Sequence, residues 1–174
     1  MPGVSVALMR TRLAVSTVAI AGLLAVPATA AAPKKITAEG VGKVELGATH
    51  ASLRDQGLVG VLRPGCELGG SETRSARLKP PLSGSVDYSL SNPRKVRAIT
   101  IRGGAKAKGV GIGATIPQIK AKFPHAKVDH SLEDIGLFTI VRIPKRDGGR
   151  IMFGVDPDTD KTIAIGVPNI PICE

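Results

Sequence analysis

Aromatic side chains are scarce in this chain. Among 174 residues there is no tryptophan, and the rings are one tyrosine and three phenylalanines (Tyr88, Phe123, Phe138 and Phe153). Sites for sugars and for single-stranded nucleic acids stack their ligands on aromatic platforms, so both classes are disfavoured. The core has to be assembled from valine, isoleucine, leucine and alanine. Acidic residues are also few, 14 against 24 lysines and arginines, which leaves a formal charge of +10. An excess of that size draws anionic partners by long-range attraction. No apolar run is long enough for a membrane span. The stretch from Leu13 to Val26 falls short of the ~20 residues a spanning helix needs.

That stretch reads as an address instead. Arg10 and Arg12 precede it and the small residues Ala28-Thr29-Ala30 come after it, the layout of a secretory signal peptide cut after Ala30. Residues 1–30 are therefore expected to be removed and the remainder exported, with 31–39 as a flexible lead-in. Cysteine is nearly absent, but the two present, Cys66 and Cys173, form an even set in a chain bound for an oxidising compartment. The expected outcome is one disulfide closing a loop of more than 100 residues, worth about 4.7 kcal/mol in the chain-entropy picture. Separate thiols or an intermolecular bridge are the alternatives.

What the chain has in plenty is a repeated pattern. Lys43-Val44-Glu45-Leu46-Gly47-Ala48-Thr49 returns sixty-six positions later as Gly109-Val110-Gly111-Ile112-Gly113-Ala114-Thr115. Thr49 is placed to cap a helix over about 50–56 with Gly57 as its stop, and Thr115 a helix running to about Lys122. Gln118, three residues after Thr115, completes a capping-box pattern, and Pro117 is tolerated in the first turn. Alternating apolar residues then predict hairpins from 85–90 with 96–101 and from 150–155 with 162–167, preceded by a strand over 137–143. The segment 72–79 is expected as an edge strand. The fold class expected is α+β: two tandem units, 40–104 and 105–174, each a short helix plus a three-stranded antiparallel meander, sharing a sheet or core.

The aliphatic-Gly-x-Thr entry, short helix and meander resemble the repeated unit of the secreted β-lactamase inhibitor proteins and of the small BamE-type outer-membrane assembly lipoproteins. Ala48 and Ala114 stand where those families carry a methionine. The likeness extends to secreted bacterial proteins with the unit in tandem and a late cysteine. It implies a fold and assigns no functional residue.

Chemistry-bearing patterns are thin. Gly109-x-Gly111-x-x-Ala114 has the spacing of a dinucleotide fingerprint, yet the matching positions of the first copy are Lys43, Glu45 and Ala48, and no parallel βαβ unit comes after it. No cofactor is expected. Between Tyr88 and Val128 there is no acid, so Arg97, Arg102, Lys106, Lys108 and Lys120 are the candidates for an anion-binding face. His125, Asp129, His130, Glu133 and Asp134 gather ligand types in one connection without a fixed tetrahedron to hold them. Asp156-x-Asp158-x-Asp160 opens like a calcium loop but has Lys161 where a glycine is needed and Val167 where the closing glutamate belongs. It is the one metal candidate. Neither a Gly-x-Ser-x-Gly elbow nor a His-Glu-x-x-His pair occurs, and no carboxylates pair as acid and base. The expected role is a non-catalytic secreted binding protein of the envelope or extracellular space, its partner another protein or an anionic envelope component. A small secreted hydrolase acting on envelope material, or an anion- or calcium-responsive factor, is the alternative.

Overall fold

Alternation of apolar and polar residues lays down most of the strands. In the structure, a computed structural model, the residues described are Gly3, 32–66, 73–144 and 151–172. Strands β1 (Lys34–Lys35), β2 (Gly40–Val41) and β3 (Val44–Glu45) lead into helix α1 (His50–Asp55). Then come β4 (Arg63–Pro64), β5 (Arg74–Arg77), β6 (Ser83–Tyr88) and β7 (Val96–Gly103). Short strands β8 (Ala105–Ala107) and β9 (Val110–Gly111) precede helix α2 (Ile116–Lys122). The chain closes with β10 (Lys127–Asp129), a 3-10 turn at Glu133–Ile135, β11 (Thr139–Ile143), β12 (Ile151–Asp156) and β13 (Lys161–Val167).

Eight of these strands make one sheet in the order β10-β11-β12-β13-β7-β6-β5-β4, every neighbouring pair antiparallel. Its middle is the β13–β7 pair, with Ile165 opposite Ile101, Gly166 opposite Thr100 and Val167 opposite Ile99. Period two sends Ile99, Ile101, Ile165 and Val167 to the inner face, where all four are fully buried. Phe153, Val141 and Val86 continue that face outward, and Leu53 of α1 and Ile119 of α2 belong to the same apolar cluster. Burying one such side chain contributes roughly 1.5–3 kcal/mol, so the inner face is the main source of stability.

The class is mostly β, which corrects the expected α+β repeat of helix plus three strands. Both helices are short, six and seven residues, and cover only part of one face. The sheet also takes in β4, from a stretch that reads in sequence as a loop, and β10, from one that reads as a polar connection. The reason is physical: both lie at the ends of the sheet, and edge strands carry charged residues and proline to discourage pairing with other chains. Lys127, Asp129, Arg63 and Pro64 do that here, and in doing so they erase the apolar alternation by which a strand is recognised. The lead-in differs too. Lys34–Lys35 pairs in parallel with Ala105–Lys106, and Ile36 is buried in the core. The signal peptide expected over 1–30 lies outside the described residues, Gly3 apart.

The repeated Gly-Ala-Thr has a structural explanation. Gly47 N donates to Val96 O at 2.9 Å while Val96 N donates to Ala48 O at 2.8 Å. In the second copy Gly113 N donates to Thr162 O at 2.8 Å and Thr162 N to Ala114 O at 2.8 Å. Each Gly-Ala pair is thus clipped to a strand, β7 or β13, with Gly47 and Gly113 both at φ +83, a conformation that favours glycine. The next residue, threonine in both copies, starts the helix. Thr49 Oγ1 accepts from Ser52 N at 3.3 Å, and Gln118 Oε1 accepts from Thr115 N at 3.0 Å.

Two isoleucines of one strand test the inner-face assignment. Ile165→Ala is expected to cost about 3 kcal/mol in urea unfolding, because the void is enclosed. Ile163→Ala, on a side chain 39% exposed, is expected to stay within about 1 kcal/mol. Equal losses at the two positions would contradict the assignment.

Candidate binding trough on the outer sheet face

The outer face of the sheet is built from small and polar residues. Reading the register across it, Ser75 lies beside Asp87 and Ala98, and Ser85 beside Thr100 and Gly166. With so little bulk, the chain after β13 folds back over the sheet. A Cβ on Gly166 would collide with the Asn169 carbonyl, and one on Gly154 would lie 3.0 Å from the Phe138 ring and 3.1 Å from Ile170. Phe138 and the segment 168–172 therefore cover the β12–β13 side. Among the described residues, nothing covers the β5–β7 side in the same way.

The open part is a trough of two adjoining hollows. One, of about 420 Å³, has Ser75, Ser85, Asp87, Thr100 and Arg102 on its floor and Cys66 and Ile172 at its rim. The other, of about 400 Å³, is lined by Glu133, Asp156 and Asp158. Leu137, Phe138 and Ile163 line both and form an apolar divide between them. Asp87 is half-buried, and burial raises its carboxyl above the ordinary value of 3.8. It makes no hydrogen bond or ion pair among the described residues, Arg102 included. Next to it in sequence, Tyr88 turns to the inner side, where burial first and the Asp87 charge second push its hydroxyl up to about 12. That hydroxyl has no hydrogen-bond partner among the described residues.

The sequence candidates are dispersed rather than gathered. Arg102 alone of the five basic candidates lines the trough. Arg97 borders Pro168 and Asn169, Lys106 sits beside Gly109–Gly113, and the Lys108 ammonium lies 4.9 Å from the Phe123 ring centroid. Lys120 is exposed on α2. The Gly109-x-Gly111 stretch runs from the β8–β9 turn onto β9, which pairs antiparallel with β8 and so lacks the parallel crossover that a dinucleotide site requires. Cys66 Sγ is 3.3 Å from Ile172 O. Cys173 lies outside the described residues, and the expected disulfide with it.

The acidic candidates are used locally. Asp156 Oδ1 accepts from Asp158 N at 3.0 Å, Thr159 N at 2.9 Å and Thr159 Oγ1 at 3.0 Å, which builds the β12–β13 turn. The Thr159 contacts hold its carboxyl below the usual range. Asp160 completes the turn at φ +53. Asp129 is paired with Arg142, which lowers its carboxyl strongly. Glu133 accepts from Thr139 and from His130 Nδ1, the latter at 2.7 Å, and is lowered by the Thr139 contact first. Among the described residues no three His, Cys, Asp or Glu side chains converge as metal ligands. His50 Nε2 donates to Gly60 O at 3.0 Å and its ring meets Tyr88 edge-on at 5.3 Å. No described helix is long and apolar enough to cross a membrane.

The trough escapes sequence reasoning because its floor comes from three strands and its rim from the tail and two loops. Ser75, Ser85 and Asp87 look in sequence like ordinary solvent-facing alternates. The one signal is the run of small residues at outward positions of central strands, Ala98, Thr100, Ala164 and Gly166, which marks a face that something packs against. Comparison with protein-family models, curated proteins and solved structures returns no match.

A titration of stability tests Asp87. Its folded pKa is raised, so above that pKa the charged form is disfavoured in the folded chain and subtracts from stability; below the ordinary value both states are protonated and the deficit vanishes. Asp87→Asn is expected to be more stable than the parent at pH 7, with the gap closing as pH falls below about 4. A variant less stable than the parent at pH 7 would show that the carboxylate is stabilised rather than desolvated.

Proposed function

We propose that the protein is an exported, non-catalytic binding protein that holds another protein against the open half of its outer sheet face. The observation that carries this reading is the trough itself. It combines an apolar divide, including the exposed Ile163, with a half-buried carboxylate that has no hydrogen-bond or ion-pair partner among the described residues. A desolvated group with no internal use lowers stability, and such groups concentrate where a ligand supplies the missing contact. Its volume is in the range of ligand sites, and its mouth is open along the sheet rather than enclosed.

Binding is favoured over hydrolysis because a hydrolase needs a base beside a nucleophile. His50 is engaged by Gly60 and Tyr88, and His130 by Glu133. Of the two serines on the trough's floor, Ser75 and Ser85, Ser75 donates to Pro64 O at 3.3 Å, and no histidine lines the trough among the described residues. Export after cleavage at Ala30 and a Cys66–Cys173 bridge belong to the same reading. The bridge would tie the tail that walls the trough to the loop after β4, and intact mass with and without reductant checks it, two free thiols being the contrary result.

The deciding experiment is capture. The mature chain, immobilised, is incubated with the envelope and culture fractions of the producing cell, and retained proteins are identified. Ser85→Trp fills the floor of the trough, whereas Lys120→Glu alters an exposed position on α2. A partner retained by the parent and by Lys120→Glu, and lost about tenfold or more with a folded Ser85→Trp, is the expected result. Retention undiminished by Ser85→Trp would sink the proposal.

A further inference from the structure

The charge inside the trough runs against the charge of the molecule. The chain carries 24 basic and 14 acidic residues. Yet among the described residues the charged side chains that line the trough are Asp87, Glu133, Asp156 and Asp158 against Arg102. All four acids have accepting capacity in reserve. Glu133 takes its bonds through Oε1 and Asp156 through Oδ1, while Asp87 and Asp158 accept none through their carboxylates among the described residues. Acid therefore lies on both sides of the apolar divide of Leu137, Phe138 and Ile163.

Building on the binding reading above, we propose that the trough receives an extended segment of a partner protein in which an apolar side chain is flanked on both sides by lysine or arginine. The apolar side chain lies on the divide and the cations reach Asp87 at one end and Asp158 at the other. Charge complementarity of this kind sets orientation and rejects like-charged competitors. The chain's own segments fit less well. Residues 67–72, which come after Cys66, bring Glu67 and Glu72, and the last residue is Glu174. The basic stretch 145–150 lies outside the described residues; the residues that bracket it, Ile143 and Ile151, pair at the opposite end of the β11–β12 ladder from Thr139 and Val155. A second copy of the mature chain, which has lost Arg10 and Arg12, sets 22 basic against 14 acidic residues and so brings a net charge of +8 to meet another +8, which opposes self-association.

The test uses acetylated, amidated peptides of the form Lys-x-Leu-x-Lys with spacer lengths varied, titrated against the mature chain by fluorescence anisotropy. Expected is saturable binding that weakens with salt, and that weakens about tenfold or more when glutamates replace the lysines or serine replaces the leucine. Asp87→Asn and Asp158→Asn, each checked for native circular dichroism, are expected to weaken the lysine peptide and to leave the glutamate peptide unchanged. Failure of every lysine peptide to bind would overturn the proposal. So would equal binding of the glutamate form, or indifference to both substitutions. Concentration-dependent dimerisation that blocks the peptides would overturn it in favour of a second copy. If these peptides fail while Ser85→Trp still abolishes capture from the envelope fraction, the charge assignment falls and the docking reading stands.

Discussion

The pairing of β7 with β13 is the contact on which the rest of the structure depends. Three register pairs join strands that are both apolar on the inner side and small on the outer side. Fully buried Ile99, Ile101, Ile165 and Val167 lock the register, because a slip of one residue would carry all four to the outer face. Each of these strands is also clipped by a Gly-Ala pair from a loop that then starts a helix. Seam, clips and helices are mutually dependent. Loosening the seam would separate β4–β7 from β10–β13 and expose a core that has only two buried phenylalanines to hold it.

The outer face is shaped by the same arrangement. Central strands cannot leave both faces wet, so the tail and Phe138 cover the β12–β13 side, fixing glycine at 166 and leaving little room beyond glycine at 154. Nothing in the described chain covers the β5–β7 side. A protein that binds by lending a strand edge would keep a long free edge, but here the edges are two and three residues long and carry Pro64, Lys127 and Asp129. The face, not the edge, is the surface open to recognition. The trough also separates two roles that the composition blends. Basic residues outnumber acidic ones over the chain as a whole, while among the described residues the trough is lined by four acids and one arginine.

Much of the local structure is legible in the sequence. Thr49, Thr115 and Gln118 mark helix starts through the chemistry of unsatisfied amide groups, and the hairpins around 91–94 and 156–161 show in apolar alternation broken by turn residues. The predominance of sheet is not legible, because β4 and β10 join the edges through backbone bonds that leave no side-chain pattern. The ordered lead-in is hidden for the same reason: its two paired residues are lysines, and only Ile36 reports burial. The candidate site is less legible still. In sequence Arg102 is one member of a basic stretch, and Asp87 one polar alternate among several. Their shared floor exists only once β6 and β7 are paired.

Carboxylate footprinting of the chain, alone and saturated with a captured partner, reads the central claim most directly. Carbodiimide-driven labelling reports each acid side chain, and Glu39 and Asp55, outside the trough, serve as internal references. The account predicts that labelling of Asp87 and Asp158 falls several-fold on saturation while Glu39 and Asp55 are unchanged. Protection of Glu39 or Asp55 with Asp87 labelled as fast as before would place the contact elsewhere and contradict it.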